Sequence, residues 1–293
     1  MVTCGECGEV PTCPRCSVHL TYHSANGRLM CHYCGHSEPL PDACPSCGGA
    51  LNFLGYGTQK VEEELHAAFP GREILRMDTD TVSATQTHEK LLSRFEKERV
   101  PVLVGTQMVA KGHDIPGVQT VGILSADSIL NIPSYLAAEQ TFNLITQCAG
   151  RAGRSRKQGE VILQTYNPSH YVIQCAARQD YESFYQKEIA YRRMLRFPPF
   201  TRLMKITCFN EEEKKAQDQA GRIDRWLRQV IPQLSGEVRS TPPFSEPIRR
   251  VRNLYYISIL VKGKNLTTLK SAMRGAPLFQ ENDIIIDEWG LEK

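Results

Sequence analysis

Nowhere in the 293 residues is there a G-x-x-x-x-G-K-[ST] loop, so the chain has no glycine-rich cradle for a triphosphate. No apolar run reaches the length needed to span a bilayer, and no membrane role is expected. The opening MVTCGECGEV has no basic segment leading into an apolar one, so it lacks the profile of a secretion signal and the cytoplasm is the expected address. An excess of charge is missing too: the net value is +3, too small to argue for nucleic acid by itself. Hydrophobic residues at 41% and charged residues at 23% are ordinary for a globular protein with a sizeable core.

Cysteine, by contrast, is plentiful and concentrated. Of eleven cysteines, eight fall in the first 47 residues as four C-x-x-C units: Cys4/Cys7, Cys13/Cys16, Cys31/Cys34 and Cys44/Cys47. Each unit can place two thiolates on one tetrahedral ion, so four units supply two complete Cys₄ sites with no position open to water. That predicts two structural Zn²⁺ ions. Cys7, Cys34 and Cys47 are followed by glycine, which suits a tight knuckle; Cys16 is followed by Ser17. Between Cys16 and Cys31, SVHLTYHSANGRLM reads as two short strands about an Asn26-Gly27 turn. Such a hairpin folds the second unit onto the third. The expected sets are therefore nested, with Cys13, Cys16, Cys31 and Cys34 inside and Cys4, Cys7, Cys44 and Cys47 outside. The alternative joins the units in sequence. A disulfide framework fits secreted domains, and a redox pair needs one C-x-x-C, not four. His19, His23, His32 and His36 lie nearby but are expected to be surface residues.

Charge is unevenly spread. Residues 1–50 hold two basic against four acidic side chains, whereas residues 201–293 hold 16 against 12. Attraction to phosphate is expected from the later part, while the zinc module, made more negative by thiolates, is expected to touch proteins.

From Leu51 on, helical and strand patterns alternate. A helix over 58–69 is expected with Thr58 as N-cap and Val61, Leu65 and Phe69 on one face. Strands are expected at Ile74-Leu75, PVLVG, VQTVGIL and GEVILQTY, and helices through Leu91, Leu92 and Phe95, over about 134–149, and from near Tyr171. This alternation predicts a parallel sheet covered on both faces, with ligands at the carboxyl ends of its strands. Two segments fall there. In GTQMVAKGHD, Gly105 allows close backbone approach, Thr106 and Gln107 offer hydrogen bonds, and Lys111 and Gly112 can meet a phosphate. In QCAGRAGR, Arg151 and Arg154 end a long helix, where a rigidly presented arginine can stabilise a transferring phosphoryl group.

Together and in this order, these segments resemble motifs V and VI of superfamily 2 helicases. With the double knuckle before GYGTQKVEEEL, and RMDTDT between, the chain resembles the primosomal protein N′ (PriA) family, the replication-restart helicases of bacteria. The resemblance implies a RecA-like second lobe of a 3′→5′ DNA helicase, with the zinc ribbon inserted in it. It implies that Arg151 and Arg154 face ATP, and that GTQMVAKGHD couples nucleotide to DNA, with Asp114, Gln147 and Gly150 in support. ATP and Mg²⁺ are expected only with a first lobe carrying a P-loop. Forked or branched DNA, primosome proteins and single-strand-binding protein are the implied partners, and the chain is expected to be a monomer. Ile115 and Gly117 stand where Phe and Asn are common in the family.

After RFPPF the pattern changes to βαββαβ, with a short strand near Glu237–Arg239, which predicts a ferredoxin-like α+β domain. Arg249, Arg250 and Arg252 in EPIRRVRNLYY are candidates for DNA-backbone contact beside two tyrosines. The expected domains are 1–50, 51–196 and 197–293. The competing functional reading is a non-catalytic, zinc-dependent module that binds DNA or protein.

Overall fold

Four knuckles in 47 residues leave room only for very short strands. In the computed structural model, which describes residues 2–23, 26–53, 57–77, 88–110, 117–153, 159–234 and 237–289, those strands are three residues each. Lys111, Gly112, Asp114 and Arg154 lie outside the described residues. β1 (Val2–Cys4) pairs antiparallel with β5 (Leu51–Phe53), setting Cys4 opposite Leu51. Between them β2 (Thr21–His23), β3 (Arg28–Met30) and β4 (Ser37–Pro39) form an antiparallel meander, so the hairpin about Asn26-Gly27 is present. Val2, Leu20 and Leu29 are buried together with Cys13, Cys16 and Cys31.

The next segment alternates as expected. It runs α1 (Thr58–Ala68), β6 (Ile74–Met77), α2 (His88–Lys97), β7 (Val102–Gly105), α3 (Gln107–Ala110), β8 (Thr120–Ile123), α4 (Asp127–Leu130), α5 (Ala137–Ala149), β9 (Glu160–Leu163), α6 (Tyr171–Ala177) and α7 (Tyr181–Met194). The N-cap of α1 is Gly57, not Thr58: Gly57 is extended and its carbonyl accepts the N–H of Val61 at 3.1 Å. Val61 and Leu65 are half-buried, but Phe69 is exposed. Among the described residues the strands form two parallel pairs, β6–β7 and β8–β9. Ile123, Phe142 and Ile145 pack with Val172, Ile173 and Phe184 on one side of the second pair. Ile162 on β9 stays 56% exposed, so this pair is not covered on both faces as the alternation implied.

The last segment comprises β10 (Arg202–Asn210), α8 (Glu213–Val230), β11 (Arg239–Ser240), β12 (Phe244–Val251), β13 (Leu254–Gly263), α9 (Thr267–Arg274) and β14 (Ile284–Trp289). β10 lies between β13 and β14, antiparallel to both, while β11 and β12 share the outer edge of β13. Taking β11 and β12 as one interrupted strand, this is the ferredoxin-like order. Pro242 and Pro243 stand between the two halves, and neither can donate to a ladder. β12 itself was missed from sequence because its register breaks between Ser245 and Arg250, around Pro247. Ile206, Ile223, Leu227, Ile259, Leu266 and Leu269 are fully buried between sheet and helices.

By compactness the chain divides into two units. Met1–Leu54 and Arg192–Lys293 form one unit and Gly55–Tyr191 the other, so the zinc module and the ferredoxin-like domain pack as one body. Within the second unit, a Cβ on Gly105 meets the Met77 carbonyl oxygen at 2.6 Å and Val109 closer still, whereas one on Gly122 meets nothing within 4 Å. Gly105→Ala is therefore expected to cost about 1–3 kcal/mol by overpacking, and Gly122→Ala to be neutral or stabilising. Urea unfolding midpoints of the two variants check the contrast.

Candidate metal centres and the arginine-bearing helix

All four C-x-x-C units begin alike. The first cysteine's N–H donates to the carbonyl five residues on: Cys4 to Glu9 at 2.8 Å, Cys13 to Val18 at 2.9 Å, Cys31 to His36 at 2.8 Å and Cys44 to Gly49 at 2.9 Å. In three units the glycine after the second cysteine turns left-handed, with φ of 74°, 74° and 76° at Gly8, Gly35 and Gly48, a conformation that disfavours any Cβ. Its N–H then returns to the first cysteine's carbonyl at 3.1, 2.9 and 2.8 Å. The second unit, with Ser17, is different. The Ser17 N–H donates to the carbonyl of Arg250 at 2.8 Å.

These turns gather the sulfurs into two sets, Cys4, Cys7, Cys44, Cys47 and Cys13, Cys16, Cys31, Cys34, each with all Sγ atoms within 4.8 Å of one another. The grouping is nested. β1–β5 pairing joins the first unit to the fourth, and the β2–β3–β4 meander joins the second to the third. Cys4–Cys47, Cys7–Cys44 and Cys13–Cys34 separations are 3.4, 3.7 and 3.6 Å. Zn–S bonds of ~2.3 Å put tetrahedral sulfurs ~3.8 Å apart, so both the donors and their spacing fit zinc. The N–H groups of Cys7 and Glu6 draw the Cys4 thiol down to about 6, while burial pushes Cys13 up to about 12. Adjacent thiols oppose one another's ionisation, and a cation removes that opposition. The nearby histidines belong to neither set: His23 and His32 meet each other at 3.2 Å, His36 meets Glu38 at 2.9 Å, and His19 meets Thr12 at 3.4 Å.

In the other unit, Gly105, Thr106 and Gln107 are exposed where β7 passes into α3. The tight approach of Met77 supplies a packing reason for Gly105. α3 lies against α5, so the two segments singled out in sequence are neighbours. α5 places Gln147, exposed, in its last turn and Gly150 at its C-cap. Arg151 follows half-buried, its N–H bonded to the Cys148 carbonyl at 3.0 Å. Gly153, at φ 78°, donates to the Val118 carbonyl at 3.1 Å. A Cβ on Gly159 comes within 2.6 Å of Gly153 Cα. Gly153 is thereby held at the amino ends of β8 and β9, not at the carboxyl ends that the alternation implied.

One buried carboxylate escaped the sequence reading. Asp127, at the start of α4, accepts the Thr165 hydroxyl at 2.9 Å and the Tyr166 N–H at 3.0 Å, tying the ends of β8 and β9 together. Burial raises its pKa, but those donors outweigh burial and hold it below the usual range. Its sequence signal is slight: a lone Asp directly after a strand.

The three candidate DNA-contact arginines have partners inside the fold. Arg249 holds Glu213 at 2.8 and 2.6 Å, Arg250 Nη2 donates to the Pro14 carbonyl at 2.7 Å, and Arg252 Nε donates to the Tyr33 carbonyl at 3.0 Å.

Comparison with known proteins accounts for each part. Residues 13–39 match the PriA DNA helicase Cys-rich region, 50–156 the helicase conserved C-terminal domain, and 193–287 the primosomal protein N C-terminal domain. The replication restart protein PriA of Bacillus subtilis is 46% identical over 274 residues, 93% of this chain and 34% of that protein. The chain belongs to the PriA family. Replication restart protein PriA of Synechocystis is 40% identical over 89% of this chain and 32% of its own length, and that of Treponema pallidum 38% over 92% and 41%. The chain thus spans about a third of the length of these curated PriA relatives. It carries the zinc-binding ribbon of the family, and no described helix is long and apolar enough to cross a membrane. Arg151 and Arg154 fall within the helicase match.

The depressed pKa of Asp127 has a signed consequence. A carboxylate held below its unfolded value of ~3.9 contributes stability above that pH and loses it as pH falls through the folded value. Asp127→Asn is expected to lower the melting temperature at pH 7, with the gap to the unaltered chain closing below about pH 4. Melting curves across pH 2–7 measure it, and a constant gap would contradict the assignment.

Proposed function

We propose that this chain is the second, arginine-bearing lobe of an ATP-dependent 3′→5′ DNA helicase, with its zinc ribbon and C-terminal domain. It recognises stalled or branched replication forks in the cytoplasm and assembles the primosome for restart. The observation that carries the reading is that α5, which ends in Gly150 and Arg151, lies against α3, the helix that follows β7 at its carboxyl end. The relatives' name, replication restart protein, supports the biological setting.

In this reading Arg151 and Arg154 stabilise charge on the γ-phosphoryl group of ATP. Gly105, Thr106, Gln107, Lys111, Gly112, Asp114, Gln147 and Gly150 link that event to the DNA strand. The β- and γ-phosphates and Mg²⁺ are gripped by a first lobe carrying a P-loop. Each cysteine set holds one structural Zn²⁺. The acidic ribbon meets primosome proteins and single-strand-binding protein, and the basic C-terminal domain meets forked DNA as part of a monomer. Arg249 and Arg252, both exposed, are its proposed phosphate contacts; Arg250, turned to the Pro14 carbonyl, has a supporting place.

The purified 293-residue chain is expected to show no DNA-stimulated ATPase; measurable turnover would contradict the division of labour. Joined to a P-loop lobe, the chain with Arg154→Ala is expected to lose about 10³-fold or more in ATP turnover and to stop unwinding while still binding forks. A variant that only weakens binding would favour the non-catalytic module instead. Cys31→Ser is expected to reduce zinc, read by metal analysis, from two equivalents to about one. The outer set keeps its ion.

A further inference from the structure

Ser17 breaks a pattern that the other three knuckles keep. In the fourth, the second cysteine's sulfur receives an N–H from two residues on, Cys47 from Gly49 at 3.4 Å, and in the first and third the N–H groups of Glu9 and His36 act on Cys7 and Cys34 from the same position. The sulfur of Cys16 instead receives the N–H of Arg252, at 3.2 Å, from 236 residues away. The glycine bond is displaced in the same way, since the Ser17 N–H leaves its own knuckle for the Arg250 carbonyl. Both groups the unit lacks are supplied by one hairpin.

That hairpin is shaped for the purpose. β12 and β13 are joined by Arg252 and Asn253 alone, with Arg250 opposite Tyr255 and Val251 opposite Leu254. Their φ values of 52° and 66° make the two-residue loop left-handed at both positions, as a type I′ turn requires. The turn aims the Arg252 N–H at Cys16 and the Asn253 N–H at the Arg15 carbonyl, 2.8 Å away. Val251 packs against the ribbon's buried cluster. The guanidinium of Arg250 takes the Pro14 carbonyl, and that of Arg252 takes the Tyr33 carbonyl, in the third unit. Every one of these hydrogen bonds falls on the second and third units, which make up the inner sulfur set. None of them reaches the outer set.

We infer that the β12–β13 hairpin of the C-terminal domain is a structural part of the inner metal centre, completing its second knuckle and controlling how tightly that one ion is held. A hydrogen bond to a ligating sulfur fixes its position and relieves its charge, and loss of such a partner typically weakens metal affinity by about 10–100-fold. The linkage is reciprocal: if the docked hairpin tightens the ion, the ion tightens the docked hairpin to the same degree. A ligand that pulls the C-terminal hairpin away would then loosen one zinc and leave the other in place. The inference rests on the proposal that each cysteine set holds one zinc.

Zinc release from the unaltered chain to excess pyridylazoresorcinol is read first. One equivalent instead of two would overturn the two-ion reading alone, and the hairpin is then judged by exchange, as below. Arg252→Pro removes the donor, and proline cannot take a φ of 52°. It is expected to speed release of one equivalent about 10-fold or more and to leave the other unchanged. Arg252→Gly, which keeps the N–H and accepts the turn but loses the guanidinium bond to Tyr33, is expected to speed that release clearly less than Arg252→Pro does, and Arg249→Ala, which breaks only the pair with Glu213, to change neither rate appreciably. Equal acceleration of both equivalents by Arg252→Pro, or of neither, would overturn the inference. Should Arg252→Pro fail to fold, hydrogen exchange on the unaltered chain decides. Metal removal is expected to expose the amides of residues 250–253 while those of α8 stay protected, and hairpin protection indifferent to metal overturns the coupling.

Discussion

Four sulfurs held within 4.8 Å of one another, an arrangement that occurs twice in the first 53 residues, cannot all carry charge without a cation between them. Strands of three residues and a buried cluster of three aliphatic side chains with three cysteines are too little to hold a fold, because domains this small rarely bury enough apolar surface. Metal binding supplies the remainder, at about 10 kcal/mol or more per structural site. The nested pairing also decides how the energy is spread. The outer set closes the ends of the segment through β1 and β5, while the inner set fixes the meander between them.

The C-terminal domain has the opposite economy. Its sheet buries Ile206, Ile259 and Val261 completely against α8 and α9. What it gives the zinc module is order at a place where the module's own sequence is deficient. Three knuckles close themselves with glycine; the one with serine is closed by a neighbour that has a core to stand on. Ribbon and ferredoxin-like domain consequently form a single compact unit although the residues between them in sequence form another.

Much of this was legible in the chain. Cysteine spacing and the Asn26-Gly27 turn led to nested sets, because a two-residue turn leaves few ways to join two strands. Long apolar strands such as LYYISILVKG and RLMKITCF declared themselves by burial on the sheet's inner face. What stayed hidden had short-range signals that were cancelled or long-range causes. β12 carries Pro247 and two arginines, which read as a loop, yet an edge strand tolerates both. The carbonyl partners of Arg250 and Arg252 were equally hidden, since nothing in a basic run reveals contacts some 220 to 240 residues earlier. Asp127 was silent because its donors, Thr165 and Tyr166, come from the next strand. The one anomaly visible from the start was Ser17, and only the hairpin explains it.

The arginine segment without a phosphate loop follows the same logic on a larger scale. An arginine charge is useful in phosphoryl transfer only if it arrives when the transferring group is in place. Placing it on a body separate from the one that grips the phosphates makes its arrival a movement that can be coupled to a strand of DNA. Such a body must hold the arginine segment firmly, and Gly153, bonded to the Val118 carbonyl and closely approached by Gly159, is so held. On the same reading, the exposed Thr106 and Gln107 where β7 passes into α3 are groups that could bond a strand without a net charge. On the proposed reading, then, the lack of a P-loop is what lets this lobe act as a moving part: chemistry waits on its position, and its position can wait on DNA.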